Sequence, residues 1–287
     1  MKVLKRLPIW AWAVVVLAAL VGLLLLPGGH KTTFDVAGEF TLRPIVKLPK
    51  LGPIDLSITK PVVYLWITVG LCCVVAALIH RGLTTKPSHF QTVVEGLYEL
   101  AHDGIAGAVM KGKTATSWFP YIGGAFFFVL LCNLAGLIPL PFGADNQLAF
   151  YAATGNINVT IVLALFTVVF THYAGVRRYG PVGYFRNWIV PAPPVLKQFI
   201  FLSDFISQIF RLVSLSVRLF ANMLAGHFIL AVFFAMLLVF QSYFIGVVLQ
   251  VGSVGVFLFE IFVAAIQAFI FAILSAVYIG SAVEEEH

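Results

Sequence analysis

The chain alternates long apolar runs with short polar ones. About 20 consecutive apolar residues suffice for a helix to cross the hydrocarbon core of a bilayer. Residues 8–27, 61–79, 118–140 and 157–173 each form such a run. Past residue 199 the pattern changes scale. No Asp, Glu, Lys or Arg occurs between Leu219 and Phe259, and none between Ile261 and Val283. This predicts two very long apolar helices joined by a turn near Gln241–Phe244. The expected fold is all-α and polytopic, with about five to six transmembrane helices and a closing hairpin, since spanning helices satisfy their own backbone hydrogen bonds.

Residues 89–110 follow another period. Val93, Val94, Leu97, Leu100, Ala101, Ile105 and Ala108 recur at helical spacing, with Glu95, Glu99, His102 and Asp103 on the other face. This predicts one interfacial amphipathic helix. Residues 28–60 are punctuated by Pro and Gly and read as an exterior loop. The domain plan is therefore an N-terminal apolar helix over 1–27, a loop over 28–60 and a membrane domain over 61–287. Three cations precede the first run (Lys2, Lys5, Arg6), as in a signal peptide, but no A-x-A site follows it. A retained anchor and a cleaved leader both fit.

Composition agrees with a lipid-facing chain. It is 61% hydrophobic and only 10% charged, with a mean hydropathy of +1.00, where soluble domains carry about 25% charged residues. The net charge of +6 points to cytoplasmic loops rather than to nucleic acid. Arg177, Arg178, Arg186 and Lys197 mark residues 174–198 as a cytoplasmic loop, and Arg81, Lys86, Lys111 and Lys113 put 80–117 on the same side. The 141–156 loop, with Asp145 alone, falls outside, and the acidic Glu284–Glu286 end falls in the cytoplasm. The location is then a membrane that the chain crosses several times. Cys72, Cys73 and Cys132 form neither a disulfide framework nor a metal motif, so no metal or cofactor is expected.

The polar residues inside the long helices carry the functional signal. Asp204, Ser207, Arg211, Ser214, Arg218 and Asn222 are spaced 3, 4, 3, 4 and 4 apart, which places them on one helix face. Ala221 and Ala225 beside this stripe would let another helix approach closely. Arg218 lies about 20 Å past Asp204 along the axis, deep in lipid, where a charge that cannot be shed is expensive. No acid lies within 13 residues of it in sequence. Arg211 is near enough to the cytoplasmic side to snorkel. The returning helix carries Glu260 and Gln267, seven apart. A turn near residue 243 sets Arg218 level with Gln267 and His227 level with Glu260. His227 points away from the Arg218 face. A buried His–carboxylate pair can relay protons or merely tie the hairpin. Asn133, Asn156 and Asn158, at the outer ends of the third and fourth spans, fit a vestibule or helix caps.

The run Ser214-Leu-Ser-Val-Arg-Leu-Phe-Ala-Asn-Met-Leu-Ala-Gly-His227 resembles the signature of subunit a of F-type ATP synthases. Phe90-Gln-Thr, Asn133-Leu with Pro139, Asn156-Ile-Asn-Val-Thr160, Ile266-Gln-Ala-Phe-Ile-Phe271 and the acidic C-terminus ending in His287 are similar to that family too, in its order along residues 90–287. The resemblance implies a proton-translocating stator subunit of the F0 sector, not an enzyme on its own. It implies partners in the rotor c-ring, the b subunits of the peripheral stalk, membrane lipid and the rest of the F1F0 complex. It also implies that the two long helices lie strongly tilted and that the location is a bacterial inner (plasma) membrane, with a mitochondrial inner membrane as the alternative. At matching positions, Arg218 is the essential charge facing the rotor and Gln267 supports it. His227 and Glu260 are access-channel positions, with acid and histidine exchanged relative to some bacterial members. Asp204 is near the cytoplasmic exit, with Ser214 and Asn222 along the path and Asn156 and Asn158 at its outer end. The outer-vestibule acids that some members of the family carry are absent here, at Gly136, Pro141 and Asn156.

Two other function classes are weaker. A secondary transporter predicts paired repeats with broken helices, and no repeat is seen. An intramembrane hydrolase predicts H-E-x-x-H or G-x-S-x-G, and neither occurs.

Overall fold

The computed structural model describes residues 44–47, 57–82, 89–110, 112–138, 151–187, 193–239 and 243–283. All of these belong to the compact unit Val36–His287. The first apolar run and Glu284–Glu286 lie outside the described residues.

Two short strands, β1 (Pro44–Val46) and β2 (Ile58–Thr59), pair antiparallel. The stretch expected to be loop thus carries a small ribbon, whose β-branched Ile45, Val46, Ile58 and Thr59 suit a pleated backbone. The helices follow: α1 (Lys60–Gly82), α2 (His89–Glu99), a π-helical stretch (Leu100–Ala106), α3 (Gly107–Val109), α4 (Lys113–Gly136), a 3-10 turn (Ala153–Gly155), α5 (Ile157–Asn187), α6 (Pro194–Val239) and α7 (Tyr243–Val283). Five of them, α1 and α4 to α7, are long and apolar enough to cross a membrane. The apolar spans of α6 and α7 cover 38 and 39 residues, or about 58 Å each against a core of about 30 Å, so full burial requires a tilt of roughly 60° from the membrane normal.

Residues 89–110 do not form one regular helix. In a π-helix each turn holds an extra residue, so the buried face moves from a four-residue to a five-residue step. Ala101, Ile105, Ala106 and Met110 are buried, whereas Leu100 and Ala108, expected on that face, are exposed, as is Val93.

The helix beginning at Ile157 does not end near residue 173. It runs on to Asn187, with a break at Gly180 (φ 72°, ψ 162°). That positive φ suits glycine, and Pro181 behind it is pre-set to start a new helical turn. The chain folds back there. His172 and Tyr184 would stand about 18 Å apart on a straight helix. Here Nδ1 of His172 and the Tyr184 hydroxyl lie 2.7 Å apart.

The core lies where α4, α5, α6 and α7 meet, around Ile122, Phe126, Val129, Leu215, Leu219, Phe271 and Ile279. On α7, Ala264, Ala268, Ala272, Ala276 and Gly280 recur every four residues and are all buried. With so little side chain on that line, neighbouring helices approach closely, the packing mode favoured where lipid tails compete with any larger side chain. Large apolar side chains point outward on α5, α6 and α7, with Phe166, Phe210 and Phe262 exposed.

Candidate functional site

The stripe on α6 points out of the bundle. Asp204, Ser207, Ser214, Arg218 and Asn222 are exposed and Arg211 is half-buried. Ala221 and Ala225, the small neighbours, are exposed as well. Among the described residues, no acid forms an ion pair with Arg218. Arg211 behaves differently, with its guanidinium 4.9 Å over the ring of Tyr278 on α7. A cation on an aromatic face is held by the ring quadrupole, which offers Arg211 a berth within the bundle.

Behind the stripe lies the seam between α6 and α7. His227 and Glu260, expected to be level, stand with Nδ1 and Oε2 3.8 Å apart, and both are buried. That separation is ion-pair range but too long for a hydrogen bond. Gly226 makes the approach possible, because any Cβ there would collide with Oε1 of Glu260. One turn towards the stripe, Asn222 Nδ2 donates to Gln267 Oε1 at 2.7 Å. Gln267, expected level with Arg218, therefore meets Asn222 instead. Side chains lean towards the N-terminus of their own helix. In this antiparallel hairpin, Gln267 leans towards the turn and Arg218 away from it.

Residues 151–156, which lead into α5, pack on the seam. Ala152 packs with Met223 and Ala264, one turn from His227 and from Glu260 respectively. Asn133 is fully buried and accepts from Thr154 Oγ1 at 2.7 Å, while its Nδ2 donates to the Ala264 carbonyl at 3.4 Å. It ties connector to α7 rather than lining an open vestibule. Asn156 Oδ1 accepts from the Asn158 backbone N–H at 2.9 Å, a helix cap on α5, and Asn158 itself is exposed.

Three features escaped the sequence reading. Gly226 is one. A second is a hydroxyl chain that joins three helices, with Tyr121 Oη 2.7 Å from Thr167 Oγ1 and that atom 3.1 Å from Ser275 Oγ. The third is Ser253, buried seven residues before Glu260. Extending the seven-residue step of Glu260 and Gln267 backwards would have found it.

The family model described as ATP synthase A chain matches residues 62–280. The chain is similar to ATP synthase subunit a of Rubrobacter xylanophilus, with 38% identity over 245 residues, covering 83% of this chain and 90% of that one. It is similar to ATP synthase subunit a of Chlorobium phaeobacteroides, with 37% identity over 262 residues, covering 89% and 72%. It is also similar to ATP synthase subunit a of Pelodictyon phaeoclathratiforme, with 37% identity over 260 residues, covering 88% and 73%. Five apolar spans and matches of this extent lead to one conclusion: the chain belongs to the ATP synthase A chain family, the multi-pass, proton-translocating stator subunits of the F0 sector, which are not enzymes on their own.

Proposed function

We propose that the exposed stripe of α6 faces the rotor c-ring and that the buried seam behind it loads protons onto the rotor. The observation that carries this reading is the contrast at Arg218. It is a permanent charge, exposed in a charge-free stretch on a face that no helix covers among the described residues. Such a charge calls for a carboxylate from another chain.

In this reading, protons enter past Asn156 and Asn158 and pass between Glu260 and His227, one accepting as the other donates. They neutralise a rotor carboxylate, which can then turn through lipid. After rotation it reaches a second half-channel along Ser214 and Asp204 and releases its proton to the cytoplasm. Arg218 stands between the two half-channels. Its fixed charge favours the ionised carboxylate and bars direct proton transfer, since a guanidinium gives up no proton at working pH. Asn222 and Gln267 hold the two helices together beside it. The C-terminus lies in the cytoplasm, on the side of the basic residues at the end of α5 and the start of α6, and the b subunits hold the chain against the ring. The test is Arg218→Ala in membrane vesicles. Proton-driven ATP synthesis is expected to fall at least about 100-fold, equivalent to about 2.7 kcal/mol or more of barrier. Synthesis at the unaltered rate would overturn the reading.

A further inference from the structure

Five buried side-chain polar atoms have no hydrogen-bond partner among the described residues. They are Nδ1 and Nε2 of His227, Oε1 of Glu260, and Nε2 and Oε1 of Gln250. All belong to the hairpin formed by α6 and α7. The pair His227–Glu260 is part of the reading above, but Gln250 is not. It lies ten residues before Glu260, about 15 Å nearer the turn along the axis.

Ser253 links the two. It is buried, and its hydroxyl donates to the Gln250 backbone carbonyl at 2.8 Å. Seven residues separate Ser253 from Glu260, and seven more separate Glu260 from Gln267. Each seven-residue step departs from the same helix face by only about 20°, so the three form one line along α7. With His227 level with Glu260, residues 231–238 of α6 run level with this part of α7. That stretch is Ala-Val-Phe-Phe-Ala-Met-Leu-Leu, with no polar side chain to pair with Gln250.

Other polar groups in the bundle interior are paired within the chain: Tyr121 with Thr167, Asn133 with Thr154, Asn222 with Gln267. An enclosed primary amide without a protein partner is the exception, and exceptions of this kind are met by ordered water.

We propose that the α6–α7 seam from Gln250 to Glu260 is a proton-access branch of its own, a single file of water held by the Gln250 amide and the Ser253 hydroxyl. The Gln250 amide donates and accepts hydrogen bonds, the Ser253 oxygen accepts from water while its proton is held by the Gln250 carbonyl, and neither group titrates near neutral pH. They order water without trapping a proton. The roughly 10 Å between Ser253 and Glu260 along the axis accommodates about three waters in file. Beyond Glu260 the bond between Asn222 and Gln267 closes the seam, so the file ends at the loading pair. The branch rests on the role given to Glu260 and His227, and adds a second approach beside Asn156 and Asn158.

The test uses the whole ATP synthase in liposomes, with Cys72, Cys73 and Cys132 replaced by alanine, and reads ATP synthesis driven by an imposed proton gradient. Gln250→Leu keeps the volume and removes both polar atoms. It is expected to slow synthesis about tenfold, the effect of one lost hydrogen-bonding station. Gln250→Asn is expected to recover part of that loss. Gln250→Cys is expected to keep a measurable rate, which a cationic methanethiosulfonate added to both sides of the membrane then blocks, because only a watery path admits that reagent. Full synthesis by Gln250→Leu, or no block of Gln250→Cys, overturns the branch. If Gln250→Leu fails to assemble with the ring, the thiol reagent decides alone. Glu260→Gln, measured alongside, separates the two readings. If it loses synthesis while the Gln250 variants do not, the branch alone fails. If it too runs at the full rate, the loading role falls and the branch with it.

Discussion

Along α6 the polar residues Asp204, Ser207, Ser214 and Arg218 stand exposed, whereas along α7 Ser253, Glu260 and Gln267 are buried, Gln267 holding Asn222 of α6. Both lines place polar groups where a membrane helix should be apolar. The first is left for something outside the chain to satisfy. The second is satisfied, or left open, by the chain's own packing. A substitution on the stripe should therefore change transport without changing the folded subunit, and a substitution in the seam should change both.

The largest expected effect separates these two responses. Arg218→Gln should abolish proton-driven ATP synthesis, while the stability of the purified complex, read by thermal melting, changes no more than for a surface substitution, about ±0.5 kcal/mol. A large loss of thermal stability would break the contrast. Next comes Gly226→Val, which sets a branched side chain where the Glu260 carboxylate packs. Proton pumping should fall about tenfold or more, and overpacking should cost about 1–3 kcal/mol, read by pumping assays and thermal melting together. Asn133→Ala removes the partner of Thr154 and of the Ala264 carbonyl. It should destabilise by about 1–3 kcal/mol and slow pumping only as far as the connector shifts over the seam. The smallest effect belongs to Tyr121→Phe, which deletes the hydroxyl bonded to Thr167 and touches no residue of either line. It should cost about 0.5–1.5 kcal/mol and leave the rate of pumping per assembled complex unaltered.

What the sequence discloses follows from which signals survive without partners. The hairpin was legible because a charge-free stretch of that length has no soluble use. The level of His227 with Glu260 follows from one turn position. Gln267 was set one turn off, because level matching ignores the lean of helical side chains. The continuation of α5 to Asn187 was hidden by basic residues that read as a loop, although Gly180 and Pro181 mark a bend rather than an end. The π-helical stretch leaves no trace in composition, since it shifts the phase of a helix without altering its residues. Gly226 could not be found from its own residue type, because its role exists only when the Glu260 carboxylate arrives from the other helix. Asn156 stayed open between vestibule and cap until its contact with the Asn158 N–H was placed.

The bond between Asn222 and Gln267 has an electrical consequence. Protons hop along groups that can both take one up and give one away, and a carboxamide does neither near neutral pH. Along the proposed proton path the clasp would act as insulation at the floor of the seam, between His227 and Glu260 on one side and the fixed charge of Arg218 on the other. Replacing either amide with a carboxyl group would turn that insulator into a conductor, and the chain would leak current without turning anything.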